Sequence, residues 1–148
     1  LIGAGATGMN ANAAVDEAGR AQAAAILSSA GKLVWVEDEG LMDTVTGISG
    51  SGPAYFFLMI EALEDAGVAQ GMSRETARTL AIQTCLGAAR MASEDSEPPA
   101  RLRERVTSPN GTTQAALDAF AEGGLRELVA SAVAAATQRG REMSRELD

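Results

Sequence analysis

Val106-Thr107-Ser108-Pro109-Asn110-Gly111-Thr112-Thr113 is the stretch around which the rest of this chain is organised. Four hydroxyl residues surround a Pro-Asn-Gly turn, and an apolar helical pattern from Ala115, Ala116 and Leu117 to Phe120 follows it directly. Pro109 fixes φ at the first corner, and Asn110-Gly111 tolerates positive φ. Thr112 or Thr113 is placed to cap the helix, whose first amides have no partner within the helix itself. Such an end attracts a carboxylate or phosphate through its unpaired donors and its dipole. An ordinary corner between two helices would use the same residues. A functional role gains weight from a second unusual stretch, Thr46-Gly47-Ile48-Ser49-Gly50-Ser51-Gly52-Pro53-Ala54-Tyr55.

Outward from these stretches the pattern is helical from Leu41 on. Leu41–Ala69 is expected as one long helix, apolar almost all round at Ala54–Ile60 and therefore central. Gly47, Gly50, Gly52 and Pro53 should weaken or kink it, a cost that suggests close backbone approach by another helix or a ligand. Ser73 and Glu75 start the next helix, with Ala77, Leu80, Ala81, Thr84, Ala88 and Met91 as its buried stripe. Ser93–Pro99 is expected to be a solvated acidic linker, and Pro99 leads a short helix to about Arg105. After Thr113–Ala121, Gly123-Gly124 breaks the chain. Leu125, Leu128, Val129, Ala132, Val133 and Ala136 then mark a last helix, which Arg139–Asp148 extends as a charged end.

Before Leu41 the signals differ. Gly3-Ala4-Gly5-Ala6-Thr7-Gly8 spells G-x-G-x-x-G, but a dinucleotide loop needs a full strand before it and a helix at once after it. Neither is present, so the segment is expected to be a strand. Val15-Asp16-Glu17 opens a helix to about Ser29, and Lys32–Glu37 is a second strand. This strand–helix–strand pattern is the tail of an α/β domain. Leu1 lies within an apolar, Gly-rich segment, which leads us to expect further sequence upstream.

Composition narrows the function. Apolar residues make up 46% and aromatics 3%, which favours close-packed helices over a β-sandwich. The net charge of −8 and the lack of a basic stripe argue against nucleic-acid binding. Ala54–Ile60 and Leu128–Ala136, the longest near-continuous apolar runs, are too short to span a bilayer, and no signal peptide is visible. With one cysteine, Cys85, and no histidine, the chain offers no intramolecular disulfide, no His relay and no ordinary transition-metal site. Cys85 is expected as a small buried apolar residue. The polar groups that look placed are hydroxyls and backbone amides, which orient a small carboxylate without attacking it. Such a site suits hydride transfer, in which a nicotinamide carries the chemistry.

Thr46–Tyr55 (TGISGSGPAY), Gln83–Ala89 (QTCLGAA), Val106–Thr113 (VTSPNGTT) and, less closely, Glu122–Leu125 resemble the C-terminal part of the pyrroline-5-carboxylate reductases. The resemblance implies a mainly α fold: a remnant of a Rossmann dinucleotide-binding domain, β-α-β, over residues 1–38, then an all-helical dimerisation and substrate-binding domain over 39–148. That helical domain would be of the kind found at the C-terminus of 6-phosphogluconate dehydrogenase. It also implies reduction of the C=N bond of 1-pyrroline-5-carboxylate to proline in the cytoplasm by a homodimer, or by a higher oligomer of dimers. NADPH or NADH would be held mainly by an N-terminal domain, with no cofactor-binding residue in this segment, no metal, and no membrane or nucleic-acid partner. By the same match, amides near Gly111, Thr112 and Thr113 would hold the substrate carboxylate, and the Thr113 hydroxyl would hydrogen-bond the ring nitrogen as the catalytic contact. Ser108 would shape the turn, and Thr46, Ser49 and Ser51 would line another part of the pocket. Asn110 stands where many members have glycine, which touches only the fine geometry of the turn. A non-catalytic helical oligomerisation module that keeps the reductase fold is the alternative. A β-hydroxyacid-dehydrogenase-like enzyme is set aside, because such enzymes use a lysine on a helix and the single lysine, Lys32, precedes the helical region.

Overall fold

The computed structural model describes residues 3–147. Leu1 and Ile2, which precede the first glycine motif, and Asp148, at the end of the charged tail, lie outside the described residues. The chain falls into two compact units: residues up to Pro53 together with those from Val129 onward, and Ala54–Leu128.

The first unit begins with β1 (Gly5–Met9), α1 (Glu17–Leu27) and β2 (Gly31–Trp35). The strands are parallel, with Gly5 opposite Gly31 and Met9 opposite Trp35, so α1 is the crossover of a β-α-β unit. Asp16 starts α1 by accepting the Gly19 amide at 2.8 Å. Ser28 and Ser29 end it by donating to the Ala25 and Ile26 carbonyls at 3.0 and 2.7 Å, and the chain then turns into β2. Gly31 is obligatory at that corner. Its φ is 153°, and a Cβ there would lie 2.0 Å from the Gly5 carbonyl oxygen. The expected strand over Gly3–Gly8 is therefore present as β1, one residue later at its end. Opposite the ladder, a Cβ on Gly8 would meet Val45 at 2.5 Å, so β1 packs directly on the next helix.

That helix is α2 (Met42–Val45), entered through a 3-10 turn at Glu39–Leu41 that Asp38 caps. It leads into a five-residue π-helical turn, Thr46–Gly50, before α3 (Gly52–Ala69). The single long helix expected over Leu41–Ala69 is thus divided. Pro53 has no amide to donate, so the regular ladder cannot run through it, and just upstream Ser51 N bonds five residues back to Thr46 O at 2.8 Å. The end of α7 (Leu125–Leu147) also belongs to this unit.

In the second unit α3 turns into α4 (Arg74–Glu94) through Gly71, whose φ is 98°. Ser73 caps α4, accepting the Thr76 amide at 3.2 Å as its sequence position implied. The two helices approach closely because both are small at the contact: a Cβ on Gly67 would lie 3.0 Å from that of Ala77. Ala77 and Ala81 are buried, but Leu80 and Met91 are about half exposed and Ala88 is exposed too, so the stripe expected on α4 is covered only at Ala77 and Ala81. Cys85 is half-buried. The expected linker is shorter and more tied down than its composition suggested. The α4 helix runs to Glu94, and Asp95 accepts both the Glu97 amide at 3.0 Å and Arg105 Nη1 at 2.6 Å. Pro99 opens α5 (Pro99–Arg105), which buries Leu102, and α6 (Thr112–Glu122) follows.

Candidate functional site

The turn between α5 and α6 is built from its own backbone. Thr107 closes α5, its amide reaching Glu104 O at 3.0 Å and its hydroxyl donating to Arg103 O at 2.6 Å. Asn110 adopts φ 59°, the one non-glycine residue with positive φ among those described, and the Gly111 amide folds back to Ser108 O at 3.0 Å. Gly111 is then the N-cap of α6, and no side chain caps the helix. The expected cap from Thr112 or Thr113 is therefore corrected: both residues lie inside the first helical turn, where their hydroxyls do not reach back over the amides. The Ala115 amide is the first to find a partner within this end, Gly111 O at 3.2 Å. Three amides, those of Thr112, Thr113 and Gln114, head the helix with no carbonyl of α6 four residues behind them. Thr113 is half-buried, and Ser108 and Thr112 are exposed.

The second segment, Thr46–Ser51, lies in the other unit. Its π turn carries two hydroxyls. Thr46 donates to Met42 O at 3.1 Å and Ser49 to Val45 O at 3.0 Å, so each presents its oxygen to the surroundings as an acceptor. Gly47, between them, is buried. Ser51 donates its amide to close the turn. The structure thus brings Ser108, Gly111, Thr112 and Thr113 together in one loop and helix start, and Thr46, Ser49 and Ser51 together in one turn.

Sequence reasoning missed a charged clamp and the partner of a glycine contact. In the second unit Glu64, only 6% exposed, accepts Arg74 Nη1 at 2.8 Å, Arg78 Nε at 2.8 Å and Arg78 Nη2 at 3.0 Å. The Arg78 and Arg74 guanidiniums, in that order, hold the Glu64 carboxyl below the usual carboxylate range. Its available signal was the acid at the end of an apolar run facing two arginines four apart. The glycine contact joins Gly47 to Thr137 on α7; the glycines suggest a close approach by a helix or a ligand, but nothing around Thr137 marks it as the partner. Among the described residues no group of three or more His, Cys, Asp or Glu is arranged to hold a metal ion, and no helix is long and apolar enough to cross a membrane. The Gly3–Gly8 motif runs into the strand Gly5–Met9 instead of forming a loop that opens onto a helix N-terminus, so this motif is not built as a pyrophosphate-binding turn.

The family model for pyrroline-5-carboxylate reductase dimerisation matches residues 39–143. A pyrroline-5-carboxylate reductase of Pseudomonas aeruginosa is 51% identical over 147 residues, which cover 99% of this chain and 54% of that protein. One from Arabidopsis thaliana is 46% identical, covering 97% of this chain and 51% of that protein. Among solved structures, a pyrroline-5-carboxylate reductase from Coxiella burnetii superposes with a TM-score of 0.92 at 45% identity, over 95% of this chain and 52% of that one. The Plasmodium falciparum pyrroline carboxylate reductase with NADP bound has a TM-score of 0.85 at 34% identity, over 96% of this chain and 54% of that one. The chain spans about half the length of the relatives it matches.

Proposed function

The chain belongs to the pyrroline-5-carboxylate reductase family, and from that membership we propose that it is the substrate-binding and dimerising part of a cytoplasmic reductase. The reaction is reduction of the C=N bond of 1-pyrroline-5-carboxylate to L-proline, the last step of proline biosynthesis. NADPH or NADH is the proposed reductant, held mainly by a part of the complete enzyme outside this chain. Residues 1–38 are proposed as the end of the dinucleotide-binding domain and 39–148 as the helical domain. In support of that division, both strands precede residue 38 and the family match begins at residue 39. The proposed partners are the small-molecule substrate and a second copy of the chain, with higher oligomers built from dimers.

The observation that carries the proposal is the uncapped start of α6. A helix N-terminus with unpartnered amides and no capping side chain suits the substrate carboxylate, because charge and donors coincide there. The amides of Thr112 and Thr113 are proposed to bind it, with Ser108 and Gly111 setting the turn through their mutual hydrogen bond. The Thr113 hydroxyl, free of a capping role, is proposed to hydrogen-bond the ring nitrogen as that atom changes charge. Thr46, Ser49 and Ser51 are proposed as further substrate contacts, the first two as acceptors because their protons are donated to backbone carbonyls.

The test joins this chain behind the N-terminal half of the Pseudomonas aeruginosa relative and follows NAD(P)H oxidation with 1-pyrroline-5-carboxylate. The expected result is turnover that requires both substrates. A folded, dimeric chimera with no turnover, beside an active parent enzyme, would favour the oligomerisation module instead.

A further inference from the structure

We propose that α7 is a positioning element for the Thr46–Gly50 turn, with Thr137 and Gly140 as its positioning residues. The inference rests on the proposed role of Thr46 and Ser49 as substrate contacts. Two contacts carry it, both within the first unit. A Cβ on buried Gly47 would lie 2.9 Å from Thr137 Oγ1 and 3.3 Å from the Val133 carbonyl oxygen. Three residues further along α7 the arrangement is inverted: a Cβ on Gly140 would lie 2.9 Å from Asp43 Oδ1 and 3.4 Å from Asp43 Cβ. Each helical segment thus contributes one glycine and one side chain, at positions 43 and 47 on one and 140 and 137 on the other. Thr137 is buried at 8% exposure.

A π turn is a rare, single-turn departure from the α-helical ladder, so its shape depends on what packs against it. Thr46 and Ser49 lie immediately before and two residues after Gly47, and their hydroxyls are oriented by carbonyls of the same segment, Met42 O and Val45 O. A shift of α7 against Gly47 therefore re-aims both oxygens together. Glycine in a helix sacrifices helix propensity, and here it admits a neighbour that a methyl group would displace.

The experiment uses the complete chimeric reductase, with KM for 1-pyrroline-5-carboxylate and kcat as readouts. Gly47→Ala is expected to raise KM at least fivefold with kcat within twofold of the parent. Thr137→Ala added to it removes the hydroxyl that the new methyl meets, and KM should return to within twofold of the Thr137→Ala single variant. An unchanged KM in Gly47→Ala, or no recovery in the double variant, overturns the proposal. Should Gly47→Ala fail to fold, Gly140→Ala with and without Asp43→Ala tests the second contact by the same two numbers. Thr46→Val and Ser49→Ala separate the underlying assumption. If both leave KM unchanged, the turn's hydroxyls are not substrate contacts, and that assignment falls together with positioning by α7. If they raise KM while the glycine variants do not, positioning by α7 alone is wrong.

Discussion

At Thr113 the structure separates two jobs that a threonine near a helix start performs. A capping threonine would lower stability by about 1 kcal/mol when replaced by alanine. Here Gly111 is the cap and makes no side-chain bond, so Thr113→Ala should leave the melting temperature nearly unchanged, with stability within about 0.5 kcal/mol. Loss of a hydrogen bond to the reacting nitrogen should instead raise the barrier by roughly 1.5–3 kcal/mol, a ten- to hundredfold fall in kcat/KM in the complete enzyme. Wild-type turnover with early melting would reverse the assignment. Gly31 is constrained by geometry alone. Its φ of 153° and the 2.0 Å approach to Gly5 O mean that Gly31→Ala must part the strands at their first pair. A loss of about 1–3 kcal/mol is expected, read by thermal or urea unfolding; an unaltered transition would show that the pairing is dispensable.

Among the elements, the α3–α4 pair is held by both packing and charge. Glu64 is nearly enclosed, whereas the side chains of Arg74 and Arg78 are 55% and 59% exposed, so the two cations reach in to a fixed anion. The folded carboxyl titrates below its ordinary 4.5, chiefly through Arg78 and then Arg74. A depressed value stabilises the fold fully above the unfolded value and is lost as pH falls through the folded one. Wild type should therefore melt above Glu64→Gln at neutral pH, and the gap should close as pH drops below about 4.5. A gap independent of pH would mean that the clamp acts by shape alone. Helix starts were legible because Asp16, Ser73 and Pro99 each satisfy or remove an orphan amide at a predictable place. The turn at Val106–Thr113 was legible for the same kind of reason, since Asn110 takes the positive φ that its type tolerates. The division at Thr46–Gly50 was not. Glycine and proline announce a weak helix, but whether the ladder bends, breaks or slips to five-residue spacing is decided by what lies against it. The α4 stripe was misjudged because periodicity shows which face is apolar, not what covers it: Leu80 remains 51% exposed and Ile82, off the stripe, 48%.

On the scale of the whole molecule, apolar side chains are unusually uncovered. Among the described residues Met9, Ala77, Ala81 and Leu102 are the apolar ones that are buried, while Phe56, Phe57, Leu58 and Leu128 are each more than 60% exposed. Full burial of one such side chain is worth about 1.5–3 kcal/mol, so a lone copy forgoes much of the stability a chain of this length ordinarily gains. We expect sedimentation to show no folded monomer at micromolar concentration, and Phe57→Asp to weaken association at least tenfold. A stable monomer would contradict the proposed dimer. A consequence follows for what stability means here. When the apolar surface is covered by another copy, folding is tied to mass action, and each tenfold dilution removes about 1.4 kcal/mol from the assembled state. Melting temperature then rises with protein concentration. A lesion that one copy cannot survive alone is tolerated when it is partnered by an intact copy, so the measured severity of a substitution depends on how much chain is made and on whose company it keeps.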